Sequence, residues 1–287
     1  MATGVELAAL TTAEFQRFQE LILSETGIQL NQSKLALVES RLARRLRGLG
    51  FQTYTDYLRH LSGQPRNSAE RQEMINCITT NKTDFFRENH HFEFLRDRLI
   101  PEVRARAARG AAPQLRIWSA ACSSGEEPYS IAITLREALA ADRSWDIKIL
   151  ASDIDTNVLA AAETGVFESG RLQSVSESIR RKYFLRRQDG SALMAKDELK
   201  SLIRFRQINL VEPAWPVRTT FDAIFCRNVI IYFNRLTQQR LFERLVQYLK
   251  PTGYLIVGHS ENLHWMSGIL APVQNTVYRQ RAGGSGA

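Results

Sequence analysis

The sequence predicts an α/β protein: an all-α N-terminal domain, then a doubly wound, mostly parallel sheet carrying a small antiparallel β-subdomain insertion. Three observations predict it. Apolar residues recur at helical spacing, with no strand signal, from Thr11 to about Gly110; short β-rich runs then alternate with helices; and acid-bearing or glycine-bearing turns stand just beyond the predicted strand ends.

In the first part, Phe15, Phe18, Leu21 and Ile22 mark one helix face, and Leu35, Val38, Leu42 and Leu46 mark a second. Thr12, Ser33 and either Asn67 or Ser68 are the expected N-caps, and Gly27, Gly48 and Gly50 the expected stops. The Arg, Ala and Gly-rich stretch from Arg104 to Pro113 reads as a helix end and linker. The alternation that follows runs strand Leu115–Ser119, helix Pro128–Leu139, strand Ile147–Ser152, helix Asn157–Glu163, strand Phe221–Cys226, helix Thr237–Leu249 and strand Tyr254–Gly258. A last β-like segment, Asn275–Arg279, follows a connection too short for a crossover helix, which predicts an antiparallel final strand.

Between Ser176 and Ile208 the alternation lapses into a helix (Ser178–Phe184), an Asp189-Gly190 turn and two β-capable runs, Ala192–Ala195 and Ile203–Gln207, read together as the small insertion. The expected division is a helical domain at 1–88, a helix and linker at 89–113, a sheet domain at 114–281 with its insertion at about 185–207, and a flexible tail at 282–287.

Composition narrows the class. No apolar run approaches the roughly 20 residues that span a bilayer, and the N-terminus lacks the basic region and apolar core of a secretory signal. The 3 cysteines, Cys77, Cys122 and Cys226, are odd in number and far apart, as in a reducing cytosol. No CxxC pair exists, and adjacency puts His90 and His91 on different faces of a helix, so no metal is expected. The formal charge of +8 implies an acidic partner: nucleic acid, anionic lipid or an acidic protein surface. With no apolar stripe left over, a monomer is expected.

In an open α/β sheet, ligands bind beyond the carboxyl ends of the strands. After the first strand, the turn Ala120–Ser130 has a single glycine, Gly125, and two carboxylates, Glu126 and Glu127, where a dinucleotide site would place a diphosphate. A diphosphate cofactor is disfavoured, and S-adenosylmethionine, with an ammonium and a sulfonium for Glu127 to attract, suits the turn. Glu126 reads as an acid that stabilises the helix N-terminus. After the second strand, Asp153 is placed to accept from ribose hydroxyls and Asp155 to cap the next helix. After strand Phe221–Cys226, Arg227, Asn228 and Tyr232 fall at the central crevice, where both a packing and a binding role are open.

The strings NKTDFFR (Asn81–Arg87) with His90, His91 and Phe92, AACSSGEEPYSIAI (Ala120–Ile133), ASDID (Ala151–Asp155), FDAIFCRNVIIYF (Phe221–Phe233) and GHSEN (Gly258–Asn262), in that order, resemble the CheR-type chemoreceptor glutamate methyltransferases over about residues 12–281. The resemblance implies a Rossmann-like class I methyltransferase domain behind the helical one. It implies a cytoplasmic enzyme that methylates chemoreceptor glutamates from S-adenosylmethionine, leaving S-adenosylhomocysteine. Asn81, Thr83 and Arg87 would reach the cofactor, Glu127 and Asp153 would hold its amino-acid and ribose parts, and Asn209, Leu210, Arg227 and Asn228 would complete the pocket. Arg87 and Tyr232 would line the methyl-transfer site. Phe85, Phe86 and Phe92, by ordinary packing, read as interdomain core.

Arg41, Arg44 and Arg45 share a helix face, with Arg47 at its edge. Alone this is a solvated stripe; the resemblance implies that it docks the acidic methylation helices of the receptor. The Arg186–Ala192 turn of the insertion is short for gripping a receptor's C-terminal tether peptide, which puts tether binding in doubt. A nucleic-acid methyltransferase is the competing enzyme, but Arg227-Asn228-Val229 stands where amino-methylating DNA enzymes carry a proline-rich motif, so no nucleic acid is expected. A cofactor-sensing adaptor without turnover would have a broken acceptor site, whereas Arg87 and Tyr232 are both present.

Overall fold

The computed structural model describes residues 7–142 and 144–281. The expected tail at 282–287 and the extreme N-terminus lie outside the described residues.

Four helices build the N-terminal unit: α1 (Thr12–Thr26), α2 (Leu35–Leu49), α3 (Tyr54–Ser62) and α4 (Ala69–Ile78). Their apolar faces enclose one core of Phe15, Phe18, Ile22, Val38, Leu42, Leu46, Tyr54 and Tyr57. Thr11, one residue before the expected Thr12, caps α1 through a reciprocal box: its hydroxyl accepts from Glu14 N and its N–H donates to the Glu14 carboxylate. Ser68 caps α4. Ser33 caps nothing, because it falls in a 3₁₀ turn and donates to Asn31 Oδ1. Gly27 and Gly50 end α1 and α2 in the left-handed region, whereas Gly48 lies inside α2.

A helical rod leads out of this unit: α5 (His90–Phe94), a π-helical turn (Leu95–Leu99) and α6 (Ile100–Ala108). The rod takes up the first half of the Arg104–Pro113 stretch expected as linker, because alanine and arginine there are good helix formers.

The main sheet has seven strands: β1 (Gln114–Ala120), β2 (Asp146–Asp153), then, after the small sheet described next, β6 (Ile203–Gln207), β7 (Phe221–Cys226), β8 (Leu249–Val257), β9 (Leu270–Gln274) and β10 (Val277–Gln280), in the order β6-β2-β1-β7-β8-β10-β9. Crossovers α7 (Glu126–Ala138), α8 (Thr156–Thr164) and α11 (Arg235–Gln247) keep β6 through β8 parallel. As the sequence predicts, the last strand β10 is antiparallel to β8, and β9 pairs with it at the edge. Ile117 and Trp118, consecutive residues of β1, serve separate apolar clusters on the two sheet faces.

The small sheet is β3 (Val166–Glu168), β4 (Phe184–Arg186) and β5 (Ala192–Ala195), ordered β3-β5-β4, with α9 (Glu177–Tyr183) before β4 and α10 (Asp197–Lys200) after β5. Ile203–Gln207, expected in this insertion, is instead the edge strand β6 of the large sheet, in register from Ile149↔Ile203 to Asp153↔Gln207. Its Ile-Arg-Phe-Arg alternation suits any half-covered edge strand, so periodicity does not tell a hairpin strand from this one. Phe85 and Phe92, expected as interdomain core, are buried instead in the sheet domain's own cluster, with Phe86 packed on it. Phe85 stacks edge-on against Phe167 of β3 at 4.8 Å.

Candidate active site

The carboxyl ends of β1, β2 and β7 open on one cavity, closed on the far side by the segment 79–87 and by residues of the helical unit. All ten residues assigned to the cofactor and transfer site from the sequence line it: Asn81, Thr83, Arg87, Glu127, Asp153, Asn209, Leu210, Arg227, Asn228 and Tyr232. It is also lined by Thr26, Ile28, Lys82, Asp84 and Ser123, which the sequence reading did not single out. Lys82 and Asp84 stand inside the NKTDFFR string, which is the signal that could have found them. Thr26 and Ile28 follow a helix whose sequence carries no mark of a site.

The turn after β1 is held open by backbone geometry. Ala121, Ser123 and Gly125 all adopt positive φ, at 64°, 50° and 98°. At Gly125 the conformation and the space both require glycine, since a Cβ would come within 2.9 Å of Ala162 Cβ. Asp153, the last residue of β2, fixes this turn: Ser123 N donates to one carboxylate oxygen at 2.8 Å and Asp155 N to the other at 3.0 Å. Burial pushes the Asp153 carboxyl above its ordinary range, offset in part by those two N–H groups.

Asp155 is the helix cap that the sequence suggests, accepting from Asn157 N and Val158 N. Its second oxygen accepts from Thr79 Oγ1 at 2.7 Å and Asn81 Nδ2 at 2.6 Å. The Asn81 amide, expected on the cofactor, is therefore directed at β2's turn, and it pins the interdomain segment to the sheet.

Glu127 lies in the first turn of α7, where Ser119 Oγ donates to Oε1 at 2.6 Å and Arg227 Nη1 to Oε2 at 2.9 Å. Arg227 also faces Glu88 Oε2 at 3.2 Å and donates to the Arg87 carbonyl. It is thus a buried cation tying β7, α7 and the 81–88 segment together. Asn228 takes φ 56° with its N–H on Glu261 Oε2 at 2.8 Å and its amide on Glu88 Oε1. Glu261 of the GHSEN string also accepts from Gly258 N and Ile230 N, so one buried carboxylate clamps the turns after β7 and β8. Glu126, outside the cavity lining, is buried against Ser124 Oγ and Arg171.

The helical unit closes the site by direct bonds. Gln29 N donates to the Tyr232 carbonyl at 2.8 Å beside an Ile28↔Phe233 bridge. Asn209 Nδ2 donates to the Glu25 carbonyl at 2.7 Å, so this amide serves the closure. On α4, Gln72 donates to the Ile154 carbonyl, and Asn76 exchanges hydrogen bonds with Thr156.

The arginine stripe divides in two. Arg41 Nη1 donates to the carbonyls of Ile78 and Thr79, capping α4, and Arg45 pairs with Glu70, whose carboxylate also accepts from Tyr57. Those two are occupied in holding α2 to α4; Arg44 and Arg47 are the exposed cations.

The adjacency argument against metal ligation does not survive at His90 and His91. Their rings lie with centroids 4.0 Å apart at the start of α5, two residues after Glu88, which is at φ 59°. One donor atom from each of Glu88, His90 and His91 lies within 4.8 Å of the others.

The cavity wall carries three carboxylates, Asp84, Glu127 and Asp153. Lys82, Arg87 and Arg227 share the lining, and the carboxylates among them suit a ligand bearing ammonium and sulfonium groups. The comparisons with known proteins agree. The family model described as CheR methyltransferase, SAM binding domain, matches residues 81–279, and that described as CheR methyltransferase, all-alpha domain, matches residues 13–79. Chemotaxis protein methyltransferase 2 of Pseudomonas aeruginosa is 47% identical over 272 residues, covering 93% of each chain. The chemotaxis protein methyltransferases of Klebsiella aerogenes and Escherichia coli are 43% and 41% identical over 97% and 95% of this chain, and 93% and 92% of their own.

Proposed function

The chain belongs to the CheR methyltransferase family and is an S-adenosylmethionine-dependent methyltransferase, and on that premise we propose that it methylates glutamate side chains of bacterial chemoreceptors, forming glutamyl methyl esters for sensory adaptation. The observation that carries the reading is the state of the cavity's cations. Arg227 is spent on Glu88 and Glu127, whereas Arg87 and Lys82 form no ion pair among the described residues, the Arg87 guanidinium donating only to the Lys82 carbonyl. Two cations at the cavity without a carboxylate of their own suit an acceptor that brings one.

The bound cofactor supplies an electrophilic methyl group on a sulfonium. A glutamate acceptor, with a reference pKa near 4.3, is already ionised at neutral pH and needs no general base. What the chain must do is align: Arg87 holds the carboxylate in its planar fork, and the Tyr232 hydroxyl, which makes no hydrogen bond among the described residues, donates to it. Glu127 holds the cofactor's amino group and Asp153 its ribose. Asn81, Thr83, Asn209, Leu210 and Asn228 shape the rest, and Arg227 acts through Glu127.

Arg44 and Arg47 face the acidic receptor helices. Recognition is independent of a tether peptide, given that the β4–β5 turn spans only residues 187–191. The enzyme works in the cytoplasm as a monomer; no described helix is long and apolar enough to cross a membrane.

The test is transfer of labelled methyl from S-adenosylmethionine to receptor-containing membranes, with nucleic acid as the parallel acceptor. Label on the receptor, released by mild base, is the expected result. Base-stable label, or label on nucleic acid, overturns the reading.

A further inference from the structure

Behind Arg227 lies a group of side chains that methyl transfer does not use. Thr276 Oγ1 lies 2.7 Å from both the Asn275 carbonyl oxygen and His91 Nε2. In the tautomer in which the hydroxyl donates to that carbonyl and Nε2 donates to the hydroxyl, Nδ1 is bare. That bare nitrogen, on a fully buried ring, faces Glu88 Oε2 at 3.6 Å. His91 Nδ1, Glu88 Oε2 and His90 Nε2 are three of the six buried side-chain polar atoms without a hydrogen-bond partner among the described residues, and all three belong to one cluster. Apart from Arg227, which faces Glu88 Oε2 at 3.2 Å, no donor reaches these three atoms, and lone pairs converging in this way are what a cation organises.

We propose that Glu88, His90 and His91 form a transition-metal site of the two-histidine, one-carboxylate class that takes Zn²⁺, and that its occupancy draws Glu88 away from Arg227. A tetrahedral Zn²⁺ with bonds of about 2.1 Å spaces its ligands about 3.4 Å apart. The Glu88–His91 separation already matches, and His90, half-buried at the first turn of α5, is free to close the rest of the 4.8 Å spread. The guanidinium of Arg227 opposes a dication at this place, and that opposition couples the two sites. Arg227 keeps Glu127 and the Arg87 carbonyl as partners when Glu88 leaves it. The pull on Glu127 then changes the wall of the cofactor cavity, and by linkage the metal and the cofactor weaken each other equally. The metal-binding half of the proposal holds whatever the methyl acceptor is.

The experiment is Zn²⁺ titration of the full chain by calorimetry, with Co²⁺ absorption as a coordination signature, on the wild type, His90→Ala and His90→Gln. His60→Ala and Cys77→Ser serve as controls for an exposed imidazole and a half-exposed thiol. One equivalent of Zn²⁺ should bind, at least tenfold more weakly in both His90 variants and unchanged in the controls. Saturating Zn²⁺ should weaken S-adenosylhomocysteine binding severalfold in the wild type only, and a chelator should restore it. Absence of saturable binding, or equal affinity in a folded His90 variant, overturns the site. Binding that leaves cofactor affinity untouched overturns the coupling.

Discussion

Arg227 Nη1 stands 2.9 Å from Glu127 Oε2 with both side chains buried, so the end of β7 is tied by charge to the first turn of α7. Glu88 shares the same guanidinium. Removing the arginine alone strands two carboxylates out of water, which costs roughly 3–5 kcal/mol. Arg227→Met should therefore lower the urea midpoint by that equivalent and abolish measurable S-adenosylhomocysteine binding. The double variant Arg227→Met, Glu127→Gln should regain part of the stability, since one stranded charge is gone. A double variant no better than the sum of the singles would show that Glu127 is held by Ser119 alone.

Asp153 makes cofactor affinity and stability respond to pH in opposite senses. Burial raises its carboxyl in the folded protein, against the pull of the Asp155 and Ser123 N–H groups, and Asp155 raises it further as a like charge. A group whose folded pKa is raised contributes stability below its unfolded value, near 3.9, and loses it as pH rises through the folded value. A cationic ligand offering hydroxyl donors prefers the ionised form. Binding measured by calorimetry should thus strengthen as pH rises through a window above the ordinary carboxylate range, while the melting temperature of the cofactor-free protein loses this one contribution over that window. Asp153→Asn should flatten the binding profile. A wild-type profile flat above the ordinary carboxylate range would remove the effect.

Much of this site was legible because strand ends announce it. Asp153 follows an apolar run, Arg227 and Asn228 follow another, and topology sends both to the crevice whatever the intervening chain does. Three features were not legible. The Ile203–Gln207 strand changed sheets because one alternating pattern serves a hairpin or an edge strand. The amides of Asn81 and Asn209 donate to Asp155 and to the Glu25 carbonyl, choices set by tertiary distance that no local pattern carries. Glu261 was within a quoted motif, but its role as a clamp on three backbone N–H groups exists only once β7 and β8 lie side by side.

The two kinds of arginine on α2 separate by assay. Arg41 bonds two carbonyls at the end of α4, and its loss removes charge-assisted hydrogen bonds worth about 2 kcal/mol. Arg41→Ala should lower the denaturation midpoint and leave the salt dependence of receptor methylation as it was. Arg44→Glu and Arg47→Glu should leave the midpoint in place and raise the receptor KM roughly threefold to fivefold each at low ionic strength. The difference should shrink as added salt shortens the Debye length below about 8 Å. A KM indifferent to both reversals would move the receptor to another face.

Arg87 and Tyr232 are the residues whose variants distinguish holding the acceptor from holding the cofactor. Arg87 sits between residues of positive φ, Phe86 at 54° and Glu88 at 59°, so the backbone that aims it is fixed independently of its guanidinium. Phe86 N is anchored on Ser130 Oγ and the Arg87 carbonyl on Arg227. Truncating the side chain should therefore leave the segment in place. A hydrogen-bonded charge in the transition state is worth about 1.5–3 kcal/mol, which predicts a loss of about 10- to 100-fold in kcat/KM for Arg87→Ala. Arg87→Lys restores the charge without the planar fork and should recover only part of it. Tyr232→Phe removes one neutral donor and should cost about 2- to 10-fold. S-adenosylhomocysteine affinity should fall much less than turnover in all three variants. If affinity and turnover fall together in Arg87→Ala, the guanidinium serves the cofactor, and Lys82, on the same wall, becomes the cation that receives the acceptor carboxylate.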